Sequence, residues 1–122
     1  MKEIRTGLFG VQAAAVLLSL CSVAPRAQGE RRCDVSIVAD DFAFAPARIE
    51  VRRNDIVRVT FRAADIPHAF TIDEYRIAKR AGVGQTVVFE FRADRSGTFL
   101  IYCNLTADDR CKRMKGELVV QP

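Results

Sequence analysis

The sequence predicts an all-β domain, a small sandwich of about seven short strands in two sheets closed by their apolar faces. Three observations carry this. Apolar and polar residues alternate with period two in short runs through most of residues 33–120. Turn-forming stretches separate the runs, "RRND", "AGVGQ" and "ADRSG" among them. No segment keeps a helical apolar period over three turns.

The start of the chain does not share this pattern. Lys2 and Arg5 precede an apolar run from Leu8 to Leu20, and small residues and proline follow as far as Gly29. That is the layout of a secretory signal peptide, and the run is shorter than the roughly 20 residues a membrane span needs. Residues 1–29 are read as a signal peptide and 30–122 as the domain, with no membrane span in the mature chain and a periplasmic or secreted location. Ala24, Ala27 and Gly29 are each acceptable before the cut. Cys21 raises a lipid anchor, but Leu20 stands where a small residue normally precedes a lipidated cysteine.

The strands follow in order. "CDVSIVA" sets Val35, Ile37 and Ala39 on one face, and "ARIEVRR" sets Ile49 and Val51. "DIVRVTFRA" alternates Val57, Val59 and Phe61 with Arg58, Thr60 and Arg62. "HAFTID" offers Phe70 and Ile72, "QTVVFEFRA" offers Val87, Phe89 and Phe91, and "GTFLIYC" and "GELVV" complete the set. "EYRIAKRAG" is the least strand-like part and reads as a long connection with one helical turn. Repeats, linkers and low-complexity tracts are absent from the sequence.

Charge excludes one class of partner. The full chain carries a net +4, but removing Lys2, Arg5, Arg26 and Glu3 with the leader leaves 16 basic and 14 acidic residues, a net +2. With no long block of like charge, nucleic acid is not the expected partner. A domain of about 93 residues folds alone but only marginally, so a staple or a metal would help it. Export permits disulfides. Cys33, Cys103 and Cys111 stay in the mature chain, an odd number, so at least one is unpaired, metal-bound or paired between chains.

Four residues could carry chemistry: His68, Cys103, Cys111 and Met114. His68 is the sole histidine, and Met114 is the sole methionine besides Met1. If their strands are neighbours, His68 and the 103–114 loop meet at one end of the sandwich, where rigid strands hold functional loops. Cys33, at the start of the first strand, reads as strand packing or a free thiol. Asp40 and Asp41 read as a turn pair rather than an acid–base couple. Arg110, Lys112, Arg113 and Lys115 crowd the loop. They are a solvated face, or a surface for an acidic partner that would also favour thiolate. Catalysis has little support, because Cys103 or Cys111 with His68 is the one nucleophile–base pair and no oxyanion loop or metal-water motif accompanies it.

These motifs, in this order, resemble the cupredoxin family of blue-copper and binuclear-copper electron carriers over nearly the whole domain. "DDFAFAPARIEVRRND" resembles the family's opening, "IPHAFTI" the segment of its first histidine ligand, "GTFLIYCNL" its cysteine strand, and "MKGELVV" its axial methionine with the closing strand. The resemblance implies a cupredoxin-like Greek-key sandwich, copper as cofactor, electron transfer as activity, a redox or copper-exchange protein as partner, and a monomer.

From Cys103, Ala107 stands at +4, Cys111 at +8 and Met114 at +11, a spacing similar to the binuclear copper loop of cytochrome oxidase and nitrous-oxide reductase. There, the same positions hold cysteine, histidine and methionine. Ala107 removes the second bridging thiolate, so a binuclear centre is excluded. One histidine in the chain also excludes the trigonal blue site of two imidazoles and a thiolate. Two readings stand. His68, Cys103, Cys111 and Met114 surround one copper, a soft set that favours Cu(I). Alternatively, Cys103 and Cys111 form a disulfide closing a nine-residue loop, worth roughly 2–3 kcal/mol in chain entropy, and the domain is a structural or interaction module.

Overall fold

Alternation is strongest along residues 32–40 and 56–63, and these become the two longest strands, on which the rest is laid. The computed structural model describes residues 18–23 and 31–122. Eleven strands lie among the described residues. They are β1 (Leu18–Leu20), β2 (Ser22–Val23), β3 (Arg32–Asp40), β4 (Ala43–Ala45), β5 (Arg48–Arg52) and β6 (Ile56–Ala63), followed by β7 (His68–Ile72), β8 (Ile77–Ala81), β9 (Thr86–Arg92), β10 (Gly97–Tyr102) and β11 (Lys115–Gln121). Short 3-10 turns occupy Asp73–Tyr75 and Cys111–Arg113.

Two mixed sheets face each other. One runs β1-β5-β11-β10-β7-β8, and the other runs β2-β3-β6-β9 with β4 added on β3. The parallel register of β3 and β6 sets Val35 beside Val59 and Ile37 beside Phe61, so period-two residues of both strands enter the same core. Between the sheets, the Phe70 ring lies 5.6 Å from Phe61 and from Phe89 and 6.1 Å from Phe44. Each such ring pair adds about 0.5–1.5 kcal/mol to simple burial.

The strand count exceeds the expected seven, and each extra strand was hidden for its own reason. β4 has three residues, too few to show a period, and pairs across the two-residue Asp41–Phe42 turn. Both turn residues are left-handed, at φ 51° and 58°, the geometry of a tight hairpin. β8 corrects the reading of "EYRIAKRAG" as a connection. After the 3-10 turn, Arg76 at φ 55° reverses the chain, and β8 pairs with β7 from Ile72↔Ile77 to His68↔Ala81. As an outermost strand it buries only Ile77 and Ala81, so its pattern is faint.

β1 and β2 fall in the segment read as a leader, the remainder of which lies outside the described residues. β1 runs parallel to β5, β2 runs antiparallel to β3, and Cys21 between them forms a disulfide with Cys33. Of the two readings for Cys33, it takes the strand-packing position, buried in the core, and is disulfide-bonded rather than a free thiol. The pairing was hidden because reading residues 1–29 as removable takes Cys21 away. The same end of the sandwich holds Asp55, 1% exposed, whose carboxylate accepts Arg31 Nε at 2.8 Å, Arg31 Nη2 at 3.3 Å and the Arg52 N–H at 2.9 Å.

At the other end, β11 enters tightly packed. A Cβ on Gly116 would stand 2.7 Å from the Ala47 carbonyl oxygen, which already accepts the Glu117 N–H at 2.8 Å. Backbone, not a movable side chain, fills that space. Gly116→Ala is expected to lower unfolding free energy by about 1–3 kcal/mol, read by urea titration at neutral pH.

Candidate metal centre

Three elements deliver the four candidate residues. β7 opens with His68, and its core-facing positions are His68, Phe70 and Ile72. β10 pairs with β7 at Tyr102↔Thr71, so Cys103, one residue further on, falls on the Phe70 face. The return loop closes through a 3-10 turn, where the N–H groups of Cys111, Lys112, Arg113 and Met114 donate to the carbonyls of Asp108, Asp109, Arg110 and Cys111 at 3.0–3.1 Å. That turn points Cys111 and Met114 inward and leaves Lys112 and Arg113 in solvent. His68, Met114, Cys103 and Cys111 are 0%, 1%, 2% and 3% exposed.

Cys103 and Cys111 are bonded to each other, with Cα atoms 5.4 Å apart. His68 is held by one nitrogen only. Its Nε2 lies 2.8 Å from Asp65 Oδ1. An ionised carboxylate only accepts, so Nε2 carries a proton, and in the neutral ring the lone pair is on Nδ1. Nδ1 is buried without a hydrogen-bond partner. Over the ring lies Phe42, edge-on at 5.7 Å between centroids, and over Phe42 lies the Arg110 guanidinium at 4.3 Å. The loop thus reaches back across Phe42 to cover the histidine.

Asp65 was missed in the sequence, although a carboxylate three residues before the sole histidine was a readable signal. It accepts from His68 and from the Asp41 and Ile66 N–H groups. These bonds, His68 first and Asp41 next, hold its carboxyl down at about 2. A depressed folded value stabilises the protein above the unfolded pKa, and that stability is lost as pH falls toward 2. Asp65 is partly exposed, so solvent screening keeps the effect to about 1 kcal/mol. Asp65→Asn is expected to flatten the acid limb of stability between pH ~4 and ~2, measured by urea unfolding at each pH.

The ligand atoms of His68, Cys103 and Cys111 do not all lie within 4.8 Å of one another. His68 Nδ1 has no hydrogen-bond partner, and both loop sulfurs are taken up by the Cys103–Cys111 bond. With the disulfide closed, the sulfurs offer no thiolate. Among the described residues, Cys21, Cys33 and Asp55 form a group whose ligand atoms lie within 4.8 Å of one another. There the sulfurs are bonded together, and Arg31 and Arg52 already occupy both carboxylate oxygens.

The family described as cupredoxin-like domain matches the sequence over residues 10–120. The chain belongs to the cupredoxin-like family. The match extends back into the segment read as a leader. No curated protein matches the sequence. Solved structures show the same fold at low identity. The metal-binding domain of the Cu(I)-exporting P-type ATPase CopA from Streptococcus pneumoniae, solved with Cu(I), is 20% identical, with a TM-score of 0.68 over 89% of this chain and 100% of that one. Auracyanin A, a blue copper protein from Chloroflexus aurantiacus, is 18% identical, with a TM-score of 0.63 over 74% of this chain and 99% of that one. A multicopper oxidase is 16% identical at a TM-score of 0.69 over 88% of this chain, which spans only 48% of that larger protein. The fold is thus shared with a metal-binding domain, a blue copper protein and a larger oxidase.

Proposed function

We propose that this cupredoxin-like protein is exported and binds one copper ion as Cu(I) when Cys103 and Cys111 are reduced. The observation that carries the reading is His68. A buried ring nitrogen without a partner costs about 1–3 kcal/mol, and Asp65 fixes the tautomer that leaves its lone pair free for a metal. His68 Nδ1, Cys103, Cys111 and Met114 would hold the ion, which when bound supplies a one-electron couple favouring the lower oxidation state. Asp65 orients the imidazole, and Phe42 with Arg110 excludes water above it. Copper handling, or electron transfer with a redox or copper-exchange partner, is the activity proposed, rather than catalysis by the domain alone. The leader-like start and the disulfides support a periplasmic or secreted site.

The second reading rests on the Cys103–Cys111 bond itself. In that reading the loop is permanently locked, and the domain is a structural or interaction module. Competition of reduced protein against a chromophoric Cu(I) chelator separates the two. The copper reading expects one equivalent bound, at least tenfold weaker binding in His68→Ala, and a shift of the Nδ1 resonance in imidazole nitrogen NMR. Reduced, folded protein that leaves all copper with the chelator establishes the module reading instead.

A further inference from the structure

The Cys103–Cys111 bond lies between two hollows. Cys111 lines a cavity of about 330 Å³ with Phe42, Ile66, Pro67, Arg80 and Asp108 among its walls. Cys103 lines a second of about 330 Å³ with Tyr102, Asn104, Leu105 and Lys112. Both cysteines are nearly inaccessible themselves, yet each borders space large enough for a small reagent. The charge is suited to thiolate chemistry. Arg80 stands at the wall of one cavity and Lys112 at the wall of the other, while Asp108, the acid in the first, is tied to Arg110 at 2.9 Å. Basic neighbours stabilise both an incoming and a departing thiolate. The loop's hydrogen bonds are local, donated by residues 110–114 to acceptors on residues 108–111, so the bond can open without unpairing a strand.

We infer that the loop disulfide is a reversible thiol switch, opened in the folded protein by a dithiol reductant that enters the Cys111 cavity. This rests on the copper reading only for its purpose, since opening is what would release the two thiolate donors. A donor thiolate attacks Cys111 Sγ, the Cys103–Cys111 bond breaks, and Cys103 leaves as a thiolate beside Lys112. The donor's second thiolate attacks its own sulfur in the mixed disulfide, Cys111 leaves as a thiolate, and the donor departs as its disulfide. Two electrons pass from donor to loop. The donor's two thiol protons go to solvent, which returns two to the loop sulfurs in the absence of metal.

The test uses the oxidised full chain with dithiothreitol, without denaturant. Thiols are alkylated at intervals and assigned by mass spectrometry, so that Cys103 and Cys111 are read separately from Cys21 and Cys33. The expected result is joint labelling of Cys103 and Cys111 much faster than global unfolding, reversed by an oxidised dithiol. Arg80→Glu should slow labelling about five- to tenfold at low ionic strength, with the difference shrinking in high salt. Labelling no faster than global unfolding, or indifferent to Arg80→Glu, overturns the switch. Cu(I) titration of the same reduced samples keeps the two ideas apart. Native opening without copper uptake removes the copper reading and leaves the switch. Copper uptake only by protein reduced in denaturant and refolded removes the switch and leaves the copper reading.

Discussion

Cys111→His is expected to give an intensely coloured Cu(II) protein, where the natural chain loaded in the same way stays pale. Strong absorption of the blue kind needs a thiolate together with two imidazoles around the copper, and the natural chain has His68 alone. The substitution places a second imidazole on the 3-10 turn that already points residue 111 inward. It also frees Cys103 from its disulfide partner, leaving one thiolate, and Met114 remains 1% exposed in the same cluster. Two effects oppose it. The imidazole is larger than the thiol it replaces, and loss of the nine-residue closed loop removes about 2–3 kcal/mol. The metal-free variant should therefore melt lower than the natural chain and recover on adding copper. Visible absorption with thermal unfolding checks this, with Cys103→Ser in the same background as the colourless control. A folded variant with neither colour nor copper-dependent stabilisation would show that His68 does not serve this loop.

Phe70→Ala is expected to cause the largest loss of stability of any single change considered. Phe70 is 1% exposed and its ring meets Phe44, Phe61 and Phe89, so three rings of the facing sheet converge on it. Truncation leaves a cavity that rigid strands on either side cannot close, at about 3–5 kcal/mol. Small domains hold about 5–15 kcal/mol in total, so much of the margin goes. In a domain of this size the melting temperature should fall by more than about 12 °C. Phe70→Leu should recover most of it. Calorimetry on both variants decides, and a drop of under about 1 kcal/mol for alanine would mean the aromatic cluster is not the core's keystone.

The long strands were legible because each buries one face. In β3 and β6, burial alternates residue by residue, and so does the sequence. β7 hides the rule, since all five of its residues are buried, yet Phe70 and Ile72 still mark its inner face. β8 hides it in the opposite way, because an outermost strand can be mostly polar. At the site, the sequence singled out four residues that are all buried, and their spacing alone left both the ligand set and the disulfide open. Pairing Cys103 with Cys111 required the 3-10 turn to bring their backbones together, which the run "ADDRCKRM" does not announce. Arg110 over Phe42 joins residues far apart in sequence, and only the fold makes them neighbours. Asp65 was within reach of sequence reasoning, but "DIP" was read as a turn, and its carboxylate was not connected with the histidine that follows.

The six described residues at 18–23 have a consequence for how copies of the protein meet. β1 covers the outer edge of β5, and β2 covers the lower part of β3. A chain cut after Gly29 has both edges uncovered, with open backbone N–H and C=O groups along Arg48–Arg52. An uncovered strand invites another copy to add itself, and charge is the usual deterrent. Here the border carries Arg48, Glu50 and Arg52 on β5 and Arg32 and Asp34 on β3, with Arg48 bound to both Glu50 and Glu117. An added strand would have to desolvate these groups, so the processed domain is kept dispersed by its own electrostatics. That protection weakens as salt screens it, and light scattering should rise with ionic strength for the processed chain more than for its precursor.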